Sequence, residues 1–196
     1  MQRDIHSYRK SEFPIEELLL RRWSPRAMSG EGLSEQEIGS LFEAARWAPS
    51  CYNEQPWRFL YARRDTEHWP LFYNLLMETN QTWAKNAGVL VAVISKCTFT
   101  HNGKPNAAHS LDTGSAWQSL ALQATAMGLV AHGMAGFDYA KAKTDLKVPN
   151  DYAVEMMIAL GRPGDPDELP EALLAREEPS GRYRVAEISF AGLFPG

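Results

Sequence analysis

The stretch Arg21-Arg22-Trp23-Ser24-Pro25-Arg26 gathers three guanidiniums and one hydroxyl in six consecutive positions. A guanidinium is a planar, permanently charged fork that matches phosphate oxygens, and its charge also suits an anionic heteroaromatic ring. Taken alone, the same cluster is equally well a basic helix end lying against the last carbonyls of a turn. A second stretch, Arg46-Trp47-Ala48-Pro49-Ser50-Cys51-Tyr52-Asn53-Glu54-Gln55-Pro56-Trp57-Arg58-Phe59, leaves a helix, turns at two prolines and starts a strand. The amides of Asn53 and Gln55 carry both donors and acceptors, so with Ser50 they suit the mixed edge of a planar heterocycle. The bland alternative is a connector whose amides satisfy their own backbone. Cys51 has no histidine near it in sequence and reads as a free loop thiol rather than a nucleophile.

A third stretch, Gly133-Met134-Ala135-Gly136-Phe137-Asp138, is an apolar, glycine-rich turn where backbone can approach a ligand closely. Its spacing is not G-x-G-x-x-G, and the chain has no G-x-x-x-x-G-K-[ST], so neither a Rossmann dinucleotide site nor a P-loop is supported. The fourth is Ser180-Gly181-Arg182-Tyr183-Arg184-Val185-Ala186-Glu187-Ile188 near the C-terminus. The five histidines are dispersed, with no pair at i, i+4 around a carboxylate, and no metal site is expected.

The elements that must position these groups follow from periodicity and punctuation. Pro14 opens a short helix through Ile15, Leu18 and Leu19 that stops between Trp23 and Pro25. Ser34 with Glu37 forms a capping box, followed by Ile38, Leu41, Phe42 and Ala45 at helical spacing. Residues 57–62 read as a strand, 67–78 as a helix with Trp69, Phe72, Leu75 and Leu76 inward, and 88–95 as a strand covered on both faces. Residues 111–127 form a long, mostly apolar helix closed by Gly128, predicted to be the central buried helix. A strand over 129–134, a helix over 139–146 and a strand over 154–161 complete the core. Beyond Arg162, four prolines and many charges mark a surface excursion. The alternating apolar tail 184–194 is expected to pack on a partner subunit.

A chain of 196 residues with 44% hydrophobic and 22% charged content fits one globular domain, and a net charge of −4 with scattered basic residues offers no footprint for nucleic acid. The longest apolar run, 89–94, is far below the roughly 20 residues that span a bilayer. Two cysteines give no disulfide framework, and with no export segment expected the protein is placed in the cytoplasm.

The four stretches, in this order, resemble the nitroreductase family of FMN enzymes. Its RRxSxR turn stands here as RRWSPR, and its "APS, two residues, N, one residue, QPW" loop as residues 48–57. The glycine turn follows, then the C-terminal "R, two residues, a hydrophobic, one residue, E" at Arg182 to Glu187. The resemblance implies an α+β fold with a mixed, mainly antiparallel central sheet wrapped by helices, and an interleaved homodimer with FMN at its interface. The single FMN-binding domain would be residues 1–196, with 163–196 extending over the surface or the partner.

It further implies that Arg22 and Ser24 reach the phosphate or ribityl chain, Trp23 contributes main-chain contacts, and Arg26 meets the pyrimidine edge. Ser50, Asn53 and Gln55 would line the flavin, Met134, Ala135 and Gly136 would offer backbone N–H groups to its N5 and O4, and Arg182 would complete the phosphate site. Arg184 is the rival for that last role, the family's frequent lysine two residues before is replaced by Ser180, and Asn80 is a further candidate for the ring. The implied reaction is ping-pong hydride transfer from NADH or NADPH through flavin N5 to a small acceptor such as a nitroaromatic or quinone, with no protein residue as nucleophile or general acid. The alternatives are another flavin reaction on the same scaffold, such as dehalogenation, dehydrogenation or flavin breakdown, and a non-catalytic flavin-binding protein.

Overall fold

Helix α1 (Glu17–Arg21) begins three residues later than Pro14 predicts and ends on Arg21, with the Arg22 N–H donating to the Leu18 carbonyl at 3.0 Å. In the computed structural model, which describes residues 4–195, the next helix is α2 (Glu35–Arg46). The Ser34 hydroxyl accepts from the Glu37 N–H at 3.2 Å, and the Glu37 carboxylate accepts from the Ser34 N–H at 2.8 Å. This is the reciprocal capping box the sequence predicts.

Four strands, β1 (Trp57–Arg63), β2 (Val89–Lys96), β3 (Val130–Met134) and β4 (Tyr152–Gly161), form one sheet in the order β1-β2-β4-β3, each pair antiparallel. Every position of β2 from Val89 to Ser95 is buried because both faces of the sheet are covered. Continuous burial explains why its sequence is an unbroken apolar run rather than an alternation. Its one buried polar member, Ser95, has partners of its own in His109 Nδ1, at 2.7 Å, and the Glu155 carboxylate.

One face packs Val89, Val91, Val93, Ile158 and Leu160 against α2 and the long helix α5 (His109–Ala126). The other packs Leu90, Ala92, Ile94, Met157 and Ala159 against α3 (Trp69–Tyr73), α4 (Glu78–Ala84) and α6 (Tyr139–Asp145). The α+β layering is the one expected. No helix among the described residues is long and apolar enough to cross a membrane.

α5 ends as the sequence predicts. Gly128 sits at φ +71°, its N–H donates to the Thr125 carbonyl at 3.1 Å, and the Leu129 N–H donates to the Ala124 carbonyl at 2.8 Å. The two bonds together make a Schellman motif. α5 is less enclosed than its apolar sequence suggests: Ala116, Leu120 and Ala124 are buried, whereas Leu111 is 75% exposed on the opposite face.

The helix expected over 67–78 is reduced to α3 (Trp69–Tyr73), and α4 starts only at its last residue. Residues 75–77 are drawn out of helical geometry by the glycine turn, where Met77 N–H donates to the Gly136 carbonyl at 3.0 Å and Asp138 N–H to the Leu75 carbonyl at 2.9 Å. Leu76 and Phe137 form a β-bridge between those bonds. Beyond β4 the chain runs over the surface with only short turns, α7 (Glu171–Leu174) and α8 (Val185–Ile188). The tail expected to alternate instead makes a helical turn, because Glu12 accepts from the Val185 N–H at 2.8 Å and from Arg184 Nε at 3.0 Å.

Candidate functional site

The turn after α1 divides its side chains between two cavities. Arg22 and Ser24 face a cavity of about 460 Å3 that also takes Arg182, with Trp117 of α5, Gly133 of β3 and Met156 of β4 in its walls. Arg22 Nη1 donates to Ser24 Oγ at 3.3 Å. A Cβ on Gly133 would lie 2.3 Å from the Met156 terminal methyl and 3.1 Å from the Trp117 ring, so the bare backbone leaves room for these walls. Burial holds the half-buried Arg22 guanidinium below its ordinary pKa, and the charge of Arg182 adds to the effect. Among the described residues neither guanidinium has a carboxylate partner; Arg182 donates only to Ser180 and to the Gly181 carbonyl.

Trp23 lines a neighbouring cavity of about 630 Å3 with Pro25, Ala27 and Glu177. Arg26 is also engaged there, its Nη1 lying 3.5 Å from the carboxylate of Glu177, which is 1% exposed. That carboxylate accepts from the Arg26 N–H at 2.6 Å and the Ala27 N–H at 2.9 Å, so it closes the turn as well as neutralising the cation. His132 of β3 donates from Nδ1 to the Pro25 carbonyl at 3.0 Å and lies against the Trp83 ring at 4.5 Å. Burial pulls the His132 pKa below its ordinary value near 6.5, aided by the charge of Arg26.

The loop after α2 contains three non-glycine residues at positive φ, Tyr52, Asn53 and Gln55. That backbone region is costly for most side chains, so the surrounding bonds must hold it. Ser50 Oγ accepts from the Gln55 N–H at 3.0 Å, Gln55 Nε2 donates to the Asn53 carbonyl at 3.1 Å, and the buried Asp112 carboxylate accepts from the Cys51 N–H at 3.0 Å. Ser50 and Gln55 thus serve the loop itself, while the exposed Asn53 amide makes no bond among the described residues. None of the three lines the Arg22 and Arg182 cavity. Asp112 anchors the loop near the start of α5, and Trp117 lines the cavity five residues on, about 7.5 Å along the axis.

In the glycine turn Met134 is buried, and the Gly136 carbonyl accepts from both Met77 N–H and Asn80 Nδ2, the latter at 3.0 Å. A Cβ on Gly136 would stand 2.6 Å from Asn80 Nδ2. Asn80 therefore packs on the turn, and its Oδ1 accepts from Trp83 Nε1 at 3.3 Å. The N–H groups of Ala135 and Gly136 donate to nothing among the described residues.

Of the two C-terminal arginines, Arg182 reaches the cavity, whereas Arg184 is held by Glu12 at 3.0 Å. The structure therefore brings Arg22, Ser24 and Arg182 together beside Gly133. It ties Arg26 to Glu177, puts Trp23 in the neighbouring cavity, and keeps Ser50, Asn53 and Gln55 apart from the first cavity within one chain. Sequence reasoning passed over Glu177, His132 and Asp112. Asp112 alone carried a local signal, as an acid in the first turn of an apolar helix.

An antiparallel sheet between two helical layers, with guanidiniums converging beside Gly133 of the edge strand β3, defines an α+β protein with a cationic cavity, and the chain belongs to the nitroreductase family. The family's model matches residues 19–78 and 62–162. Among solved structures, one described as an oxidoreductase containing FMN is 48% identical, with a TM-score of 0.92 over 96% of each chain. A protein from Desulfovibrio desulfuricans assigned to the nitroreductases and crystallised with FMN is 25% identical, with a TM-score of 0.72 over 94% of this chain and 100% of that one. Protein DrgA of Synechocystis sp. is 29% identical over 66% of this chain and 74% of its own length.

Proposed function

We propose that this chain is an FMN-dependent oxidoreductase that draws hydride from NADH or NADPH and delivers it to a small organic acceptor, such as a nitroaromatic or a quinone, in two half-reactions at one cavity. The observation that carries the reading is the pair of guanidiniums, Arg22 and Arg182, sharing a cavity with no carboxylate partner among the described residues. An uncompensated, partly desolvated pair of cations is a site for a doubly charged anion such as a phosphate monoester. The volume of about 460 Å3 also falls within the range of about 300–1,000 Å3 typical of small-molecule sites.

The chain's residues divide the work. Arg22, Ser24 and Arg182 would hold the phosphate, and Trp117 and Met156 stand in the walls of the cavity. The free N–H groups of Ala135 and Gly136 suit the acceptor atoms of a heteroaromatic edge. FMN, when bound, supplies the hydride chemistry at its N5, which is why no side chain is assigned as nucleophile or general acid. Arg26, already neutralised by Glu177, adds less positive charge than a free guanidinium would.

The loop bearing Ser50, Asn53 and Gln55 completes the site from a second copy of the chain. Pairing accounts for the exposed Leu111 on α5 and for the apolar tail, where Phe194 is 87% exposed. The free cysteines, Cys51 and Cys97, are consistent with a reducing, cytoplasmic setting.

The reading is tested by titrating the protein with FMN and following flavin fluorescence, then assaying NADH and NADPH oxidation with a quinone and a nitroaromatic. Tight binding, flavin bleaching by either nicotinamide, and losses of about ten- to a hundredfold in FMN affinity for Arg22→Ala and Arg182→Ala are expected from removing charge-assisted bonds. Failure of the intact protein to bind FMN would sink the proposal.

A further inference from the structure

Arg9 precedes the RRWSPR turn and belongs to none of the four stretches, yet it is among the most enclosed charges in the molecule, 8% exposed. Its Nη1 donates to the carbonyls of Leu20 and Arg22, both at 2.8 Å, and its Nε donates to the Ser180 carbonyl at 2.9 Å. One guanidinium thereby joins the end of α1 to a segment 171 residues beyond Arg9 itself. The two strands of backbone it joins are those that carry Arg22 and Arg182 into the shared cavity.

The electrostatics of this arrangement are unfavourable by themselves. A buried cation is normally retained with a carboxylate partner, and Arg9 has none among the described residues; it is met only by carbonyl dipoles. Burial lowers its pKa first, and the charges of Arg182 and Arg22 lower it further, so the charges it faces repel it. Its Nη2 group makes no bond among the described residues. Three guanidiniums held together against their mutual repulsion form a site whose cost is offset when an anion arrives.

We propose that Arg9 is a positioning residue and the third cation of the phosphate subsite, clamping the Arg22 turn to the Arg182 segment and adding its own charge to theirs. It stands in for the cation that Ser180 does not supply: the Ser180 carbonyl is the group Arg9 holds, so the charge absent from that side chain arrives through space from the N-terminal segment. The proposal rests on the reading of the Arg22 and Arg182 cavity as the place of the FMN phosphate.

The test compares FMN with riboflavin, which has the same ring system and lacks the phosphate, on the wild-type, Arg9→Met and Arg9→Lys proteins, with circular dichroism checking each fold. The quantity read is the ratio of the riboflavin Kd to the FMN Kd. Arg9→Met is expected to lower that ratio by about tenfold, the size of one lost charge-assisted interaction. Arg9→Lys, which keeps the charge and loses the fork, should fall between Arg9→Met and wild type, and it carries the test alone if Arg9→Met does not fold. The salt dependence of FMN affinity should also be shallower in Arg9→Met than in wild type. A ratio unchanged in the folded variants, with FMN and riboflavin weakened equally or not at all, overturns the role of Arg9 and leaves the FMN reading standing. A wild-type protein that binds neither compound overturns both.

Discussion

Glu177 determines what Arg26 can contribute. Its buried carboxylate takes the Arg26 and Ala27 N–H groups as well as the Arg26 guanidinium, and one side chain thus fixes the backbone of the turn and cancels one of its charges. In the proposed phosphate site the charge left to attract an anion would be that of Arg22 and Arg182, with Arg9 behind them. His132 completes the same structure from β3, donating to the Pro25 carbonyl. Its pKa is held below the ordinary value near 6.5, chiefly by burial, so the folded protein resists a proton that the unfolded chain accepts. The stability this contributes is complete above about pH 6.5 and is lost as the pH falls below that value toward the folded pKa, at up to about 1.4 kcal/mol per pH unit for one proton. Urea unfolding between pH 7 and 5 should therefore show a steeper decline for wild type than for His132→Asn, which keeps a donor and does not titrate. Parallel declines would remove the role.

Local rules account for much of the secondary structure and fail where distant backbone intervenes. The capping box of α2 rests on Ser34 and Glu37 alone, and Ser34→Ala should cost about 1 kcal/mol in chemical denaturation with no change in m-value. The Gly128 stop of α5 and the buried run of β2 were legible for the same reason: the signal lies within a few residues or in a period. Residues 67–78 carry a helical pattern too, yet break at 75–77 because Met77 and Leu75 exchange backbone bonds with Gly136 and Asp138. The tail follows suit. Glu12 nucleates α8 from 173 residues away, a partner no sequence window contains.

The outer surface carries the argument for a pair of chains. Leu111 projects from the uncovered face of α5, and the C-terminal tail leaves Phe190 and Phe194 exposed, with their ring centroids 5.8 Å apart. Both would be covered if two copies joined across α5 with tails exchanged. Light scattering should report a dimer for wild type, and Leu111→Glu, which places a charge in that face, should shift the population toward monomer and weaken FMN binding together. A wild-type monomer that binds FMN normally would remove the need for a second chain. By itself the sequence determined the layered α+β elements, the guanidinium turn, the glycine turn and the choice of family, because each is written in neighbouring residues or in their period. Only the tertiary structure decided which cations converge. It gave Arg26 to Glu177 and Arg184 to Glu12, brought Arg182 to Arg22, and set Arg9 between them. Those pairings join residues up to 172 positions apart, and a contact of that span leaves no trace in local spacing.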